Sequence, residues 1–455
     1  MTGNRIKTNP AFLLILSFTG AILTGTILLK LPFSVQNGHI SFIDSLFTSA
    51  SAVCVTGLIV VDTGQCFTLF GQIVILILIQ VGGIGIMTIS VFLFNSLKRS
   101  MGITQRQAIQ SLYSSAPRKD IQSIIYSIFA FTLIAELSGT ALLYIFFKSV
   151  GTVKRPLFSA IFHSVSAFCN AGFSLFSDNF ISFNNNPGIC IVIMLLIIAG
   201  GIGFPVVYEL VLKLVNKIKG KRSNLSLQTK TVLTTTSGLI ISGAVLFFII
   251  SFNTALSGQS LTSKIINSLF QSVTCRTAGF NTLEMSKISE EGLFLLIILM
   301  FIGASPGSCG GGIKTTTISI VLSHFRSRLK NKTQTSLFKR GIPEEVVNKA
   351  FILVVMYILI IAVFSFFILF LEESCLRSEA ISDSPLLSVL FEVVSALGTV
   401  GLSVGITPLL SPFCKFLIIV LMFSGRVGPL TMVYLIIGNK TQIQRNYAEE
   451  NIMVG

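Results

Sequence analysis

Charge is scarce in this sequence. Only 11% of its 455 residues are Asp, Glu, Lys or Arg, while 52% are hydrophobic; a soluble domain carries about 25% charged residues. That shortage excludes a soluble protein, because most of the surface must face something other than water. Metal-ligand spacings are missing as well. The eight cysteines form no CxxC pair and no Cys/His cluster, and Cys54, Cys169, Cys190 and Cys309 lie within apolar runs as small hydrophobes. No nucleophile–base pair sits in those runs, which argues against a membrane enzyme. A phosphate loop is lacking too: in GSCGGGIKT (307–315) Ile313 separates glycine from lysine, and no strand precedes it. The chain is thus expected to hold no cofactor of its own and to bind no nucleic acid.

Long apolar runs are what the sequence has in quantity. They cover 11–29, 71–94, 121–147, 188–212, 231–252, 292–302, 350–371 and 413–437. A membrane-spanning helix needs roughly 20 such residues, so eight spans are expected, the sixth cut short by glycines. The first run follows Arg5 and Lys7 but ends in no small-residue cleavage site, and reads as an uncleaved helix rather than a signal peptide. The net charge of +15 is distributed unevenly. Lys98, Arg99, Arg106, Arg118 and Lys119 share one side with Lys213, Lys217, Lys219, Lys221, Arg222 and Lys230, and with Arg326, Arg328, Lys330, Lys332, Lys339, Arg340 and Lys349. Together with Arg5, Lys7, Lys440 and Arg445 they make 22 of the 33 basic residues. The positive-inside rule makes that side cytoplasmic and puts both termini there. Asp44, Asp62, Asp178, Glu284, Glu290, Glu291, Glu372, Glu373 and Asp383 fall outside, a rim suited to collecting cations.

A fourfold repeat runs through the outer loops. FTSASAVCVTGL (47–58), FHSVSAFCNAGF (162–173), LFQSVTCRTAGF (269–280) and FEVVSALGTVGL (391–402) align without gaps on Gly57, Gly172, Gly279 and Gly401. In that alignment Phe47, Phe162, Leu269 and Phe391 correspond, as do Ser51, Ser166 and Ser395, with Val273 in the third. Segments such as 42–53 and 385–396 would make about 18 Å of helix, too short for a core of about 30 Å. The chain must therefore dip in and return. Irregular backbone at that depth survives only where protein or a watery pore covers it, and four such units around one axis form a pore. Glycine allows the close approach and positive φ that aim backbone carbonyls at an ion.

Those segments resemble the filter motifs of the Trk/Ktr/HKT superfamily of potassium transporters, and the chain is most similar to the Ktr-type membrane subunit. The resemblance covers nearly the whole chain. It implies an all-α integral membrane protein of four helix–pore-helix–helix repeats, with eight transmembrane helices, four re-entrant loops and pseudo-fourfold symmetry. The repeats are expected at 1–97 (filter 53–58), 98–218 (filter 168–173), 219–330 (filter 275–280) and 331–440 (filter 397–402), with a cytoplasmic tail over 441–455. Carried over by position, the filter carbonyls fall on Val55, Thr56 and Gly57; Asn170, Ala171 and Gly172; Thr277, Ala278 and Gly279; Thr399, Val400 and Gly401. Gly57 stands where sodium-preferring members have serine, so potassium is favoured and a sodium pore is the nearest rival. The resemblance further implies a homodimer in a bacterial plasma membrane and a cytosolic nucleotide-binding ring, with ATP or ADP on that partner. Sodium as activator or co-ion stays open, as does channel against symporter.

Two features stand beneath the filters. GGIG at 82–85 and 200–203 and GRVG at 425–428 follow their filter glycines at similar distances, and small residues there allow close helix packing. In the third unit GASPGSCGGGIKT (303–315) interrupts a span with five glycines and a proline, so a continuous helix is not expected. Gly303, Gly307, Gly310, Gly311, Gly312 and Lys314 are read as a gate, with a fixed packing kink as the alternative. Arg426 is an intramembrane arginine and so a functional candidate, expected to pair with carbonyls of the 303–315 loop. Lys314 either shares that role or snorkels to the cytoplasmic face. A secondary transporter with inverted repeats fits less well, because all four units begin and end on the same side.

Overall fold

The computed structural model describes residues 10–85, 121–221, 224–378 and 384–429. The basic residues Arg5, Lys7, Lys98, Arg99, Arg106, Arg118, Lys119, Arg222, Lys440 and Arg445, together with Asp383 and the tail over 441–455, lie outside the described residues.

Helices dominate, and capping chemistry sets their starts. The first unit runs α1 (Pro10–Lys30), a short α2 (Phe42–Cys54) and α3 (Leu69–Ile84). The second runs α4 (Ile121–Val150), a short α5 (Pro156–Phe168), α6 (Pro187–Gly201) and α7 (Phe204–Ile218). The third has α8 (Leu227–Ser251), a short α9 (Leu261–Thr274), α10 (Glu290–Phe301) and α11 (Thr315–Leu329); the fourth has α12 (Glu344–Ser378), a short α13 (Pro385–Gly398) and α14 (Pro412–Val427). Ser41, Thr68, Ser226, Ser260, Ser289 and Ser411 each accept a backbone N–H of the first turn that follows, satisfying donors that a helix start leaves free. Proline opens α5, α6, α13 and α14, where its missing N–H costs nothing. A two-stranded hairpin, Ser336–Leu337 with Arg340–Gly341, joins α11 to α12.

Among the described residues, Tyr126–Val150, Leu227–Ser251 and Glu344–Glu372 are long and apolar enough to cross a membrane, and the pair Pro187–Gly201 and Phe204–Ile218 makes a fourth if taken together. That pair corrects the expected continuous span over 188–212, because the chain bends by 98° at its middle. The cause is local: Gly203 takes φ of +99° and starts α7. Gly85 and Gly428, also at positive φ of +88° and +93°, end α3 and α14 as C-caps. The last glycine of each GGIG or GRVG motif therefore stands at a helix end.

The short helices are held by a contact repeated three times. Ser49 donates to the carbonyl of Ile22 at 2.7 Å, Ser164 to that of Glu136 at 2.7 Å, and Ser272 to that of Ile240 at 2.8 Å. Three residues beyond each acceptor stands Gly25, Gly139 or Gly243, where a β-carbon would strike Leu78, Leu196 or Leu299 of the returning helix. A glycine, a serine and a leucine thus lock first helix, short helix and returning helix in units one to three. Unit four has Val393 at the serine position and packs there without that hydrogen bond.

Candidate functional site

The four short helices end at one ring. A β-carbon on Gly57 would lie 2.5 Å from the Ala171 carbonyl oxygen, on Gly172 2.8 Å from that of Ala278, and on Gly279 2.6 Å from that of Val400; on Gly401 it would run into the Thr56 carbonyl. Each glycine abuts the next unit, and the fourth returns to the first. The chain order is the ring order, so units one and three face each other, as do two and four.

Backbone geometry repeats with the ring. Val55, Asn170, Thr277 and Thr399 have φ of 57°, 59°, 67° and 51°, and Gly57, Gly172, Gly279 and Gly401 have 96°, 71°, 77° and 92°. The residues between them, Thr56, Ala171, Ala278 and Val400, keep ordinary negative φ. Such alternation brings successive carbonyls to one face of the chain and successive N–H groups to the other. A left-handed conformation costs a non-glycine residue roughly 1–2 kcal/mol, so four in matching places are held by their surroundings. Holding them are helix-end bonds from Val55 N to Ala52 O, Asn170 N to Ala167 O and Thr399 N to Ala396 O, each 3.1 Å. Hydroxyls complete the frame. Ser51 and Ser395 accept from Gly57 and Gly401 N–H at 3.1 Å, and Ser166 donates to the Phe173 carbonyl at 2.8 Å. The helix C-termini aimed at the ring place partial negative charge there.

The third unit corrects the gap-free alignment. Its hydroxyl is Thr274, which donates to the Phe280 carbonyl at 2.6 Å and whose own carbonyl accepts from Ala278 N at 2.9 Å. The equivalent bonds elsewhere span one residue more, from Thr56 to Ser51, Ala171 to Ser166 and Val400 to Ser395. One residue is therefore missing between helix and glycine. With that gap the counterpart of Phe47, Phe162 and Phe391 is Phe270, not Leu269, and all four phenylalanines are fully buried. Thr274 likewise takes the place assigned to Val273.

Beneath the ring lies the interrupted stretch between α10 and α11. It loops round on itself so that its two ends run side by side in the same direction, Ile302 and Ile313 forming a parallel bridge, with Gly303 N donating to Ile313 O at 2.9 Å and Ala304 N to Gly311 O at 3.3 Å. Its outer edge is pinned to unit two, through Ser305 N to Gly201 O at 3.1 Å and Phe204 N to Gly307 O at 2.9 Å. Its tip presses on the ring: Gly311 N donates to the Thr399 hydroxyl at 2.9 Å, and a β-carbon on Gly310 would collide with the Thr277 hydroxyl. Lys314 does not snorkel away; its Nζ donates to Gly310 O at 2.7 Å. Arg426 donates from Nη1 to Cys309 O and from Nη2 to Gly82 O, tying the loop to α3 of unit one. Gly303, Gly307, Gly310, Gly311, Gly312, Lys314 and Arg426 are thus brought together under the ring. A cavity of about 340 Å³ opens below, lined by Gly85, Gly312, Lys314 and Arg426 among others.

Arg276 escaped the sequence reading. It is buried beside Thr277 and donates from Nη2 to Gly303 O at 3.3 Å, while Nη1 has no partner. It stands inside the third repeated motif, where only its charge sets it apart. Glu136 accepts from Gln80 at 3.2 Å and ties α4 to α3. Among the described residues no group of three or more His, Cys, Asp or Glu could hold a metal.

Comparison with known proteins agrees with this architecture. Residues 4–442 match the family model TrkH, a cation transport protein. The Ktr system potassium uptake protein B of Bacillus subtilis (strain 168) is 38% identical over 94% of this chain and 93% of its own length. The potassium/sodium uptake protein NtpJ of Enterococcus hirae is 36% identical over 99% and 98%. The crystal structure of the potassium transporter TrkH from Vibrio parahaemolyticus superposes with a TM-score of 0.70 at 20% identity, covering 94% of this chain and 84% of that one, which speaks to the fold.

Proposed function

The chain belongs to the TrkH family of cation transport proteins, transporters rather than enzymes, and from that premise we propose that it is the potassium-conducting subunit of an uptake system. The observation that carries the reading is the closed ring of four glycines, each preceded two residues earlier by a left-handed residue. Carbonyls of Val55, Thr56 and Gly57 and of their counterparts Asn170 to Gly172, Thr277 to Gly279 and Thr399 to Gly401 replace the hydration shell of K⁺. The eight long segments span the bilayer, the four short helices are pore helices, and the long–short–long units form the pseudo-fourfold frame. Both termini are cytoplasmic and the protein resides in the bacterial inner membrane.

Loop 303–315 is the gate in this proposal. The positive charges of Lys314 and Arg426 stand in the path of a cation leaving the filter and raise its barrier. Their donors are occupied by carbonyls of the loop itself and of Gly82, so moving the loop moves the charge. The subunit works as a homodimer, and a cytosolic ring that binds ATP or ADP docks on its basic inner face. Sodium acts as activator or co-ion. The test is uptake in cells lacking their own potassium systems, comparing the native chain with Gly57→Ser. A serine β-carbon would sit 2.5 Å from the Ala171 carbonyl oxygen and spread the ring. Growth rescue at low potassium by the native chain, with K⁺ preference over Na⁺ weakened in Gly57→Ser, is expected; rescue indifferent to that residue overturns the filter assignment.

A further inference from the structure

Correcting the third unit by one residue brings a second set of equivalent positions into line. Three residues before the pore-helix hydroxyls Ser51, Ser166, Thr274 and Ser395 stand Thr48, His163, Gln271 and Glu392. All four are polar and buried, at 2%, 0%, 0% and 2% exposure, although each lies on a helix packed among phenylalanines.

In units two and four they do the same work with different chemistry. The Nδ1 of His163 lies 2.7 Å from the Ser159 carbonyl, which only a protonated nitrogen satisfies, so Nε2 is an acceptor. It takes the N–H of Leu175 at 3.2 Å and lies 3.1 Å from the Ser174 hydroxyl. Glu392 Oε1 takes the N–H of Val404 at 3.2 Å and the Ser403 hydroxyl, and its Oε2 takes the Thr407 hydroxyl at 2.8 Å. Leu175 and Val404 both lie three residues after the ring glycine, and Ser174 and Ser403 both two residues after. An imidazole and a carboxylate have been placed to accept from the same two groups of the strand that leaves the ring.

Units one and three lack that brace. The Thr48 hydroxyl turns back to the Asp44 carbonyl at 2.8 Å, and the strand opposite it carries Ile59 and Val60. Neither amide atom of Gln271 has a protein partner, and neither does the hydroxyl of Thr282 three residues after Gly279; buried groups of this kind are commonly met by ordered water.

We infer that His163 and Glu392 are positioning residues that set cation specificity by fixing, from behind, two strands on opposite sides of the ring. The inference rests on the filter reading above. Coordination by carbonyls discriminates ions only if the ring resists shrinking around a smaller one, and a two-sided brace supplies that resistance along one diameter. Strands one and three are left the freer pair, so relaxation on loss of a brace is expected along the braced diameter.

The experiment is uptake of K⁺, Rb⁺ and Na⁺ by the full-length chain in cells lacking potassium uptake, with the protein quantified in the membrane. His163→Leu and Glu392→Leu remove the acceptors, whereas His163→Gln and Glu392→Gln keep one. The leucine variants are expected to lower the ratio of Na⁺ to K⁺ KM at least threefold, and the glutamine variants to restore it. A purely structural role would lower the amount of protein or kcat for all three ions together and leave that ratio fixed, which would overturn the inference. Should the leucine variants fail to reach the membrane, Ser403→Ala and Thr407→Val delete the strand-side partners with little change of shape. An unchanged ratio in that double variant overturns it equally. Absence of K⁺ uptake by the native chain would instead strike the filter reading itself.

Discussion

At the scale of single residues, the arginine in the GRVG motif of the fourth unit was legible because a charge inside an apolar run demands a reason. Its two partners were only half legible: carbonyls of the loop were expected, but Gly82 of unit one belongs to a contact 344 positions away in sequence. Arg276 shows the converse. It stood in the third motif, yet nothing local distinguishes an arginine that faces lipid headgroups from one that holds Gly303 O at 3.3 Å. For Arg426 the expected outcome is definite. Charge-assisted hydrogen bonds contribute about 1.5–3 kcal/mol, so Arg426→Ala should shift the closed-to-open ratio of the loop by roughly tenfold or more. Initial rates of Rb⁺ uptake should rise severalfold. Arg426→Lys, which presents a point charge in place of a planar fork, should fall between. Unchanged rates in both would remove this residue from the gate.

Among elements, the repeat was readable because glycine and hydroxyl positions recur by chemistry, whereas the offset in unit three was not. A gap-free match looked complete, since Leu269 and Val273 are acceptable apolar residues. Sliding that helix by one residue would have shown phenylalanine and hydroxyl in all four units, at 270 and 274. The loop over 303–315 was foreseen as non-helical from its glycines, but its looped form depends on long-range bonds to Gly200, Gly201 and Thr399 that no local pattern announces. The contact between loop and ring yields a prediction of its own. Gly310 is packed so closely beneath Thr277 that a β-carbon would also lie 2.7 Å from that of Ala304. Gly310→Ala must therefore displace the loop tip from the ring rather than be absorbed. Uptake should increase while preference for K⁺ over Na⁺ is retained, because the filter glycines are untouched. A variant that loses selectivity along with gating would mean that the tip supports the ring instead of closing it.

For the whole molecule, the alternation of basic and acidic loops in the sequence predicts an orientation that labelling can test. Ser257 lies exposed in the loop between α8 and α9, and Lys332 lies exposed just before the hairpin that joins α11 to α12. If α8 crosses the bilayer outward and α10 with α11 returns inward, these two positions are on opposite sides, and the proposed direction puts Ser257 outside. Seven cysteines are described, six buried and Cys66 partly exposed, so a background with Cys66→Ser and Cys375→Ser removes competing thiols. In that background, a membrane-impermeant maleimide applied to intact cells should label Ser257→Cys and spare Lys332→Cys. Permeabilised cells should label both. Labelling of Lys332→Cys from outside would invert the molecule, put the gate on the outer face of the filter and sink the uptake reading. Equal labelling of both in intact cells would place α8 to α11 on one side and undo the four-unit pore itself.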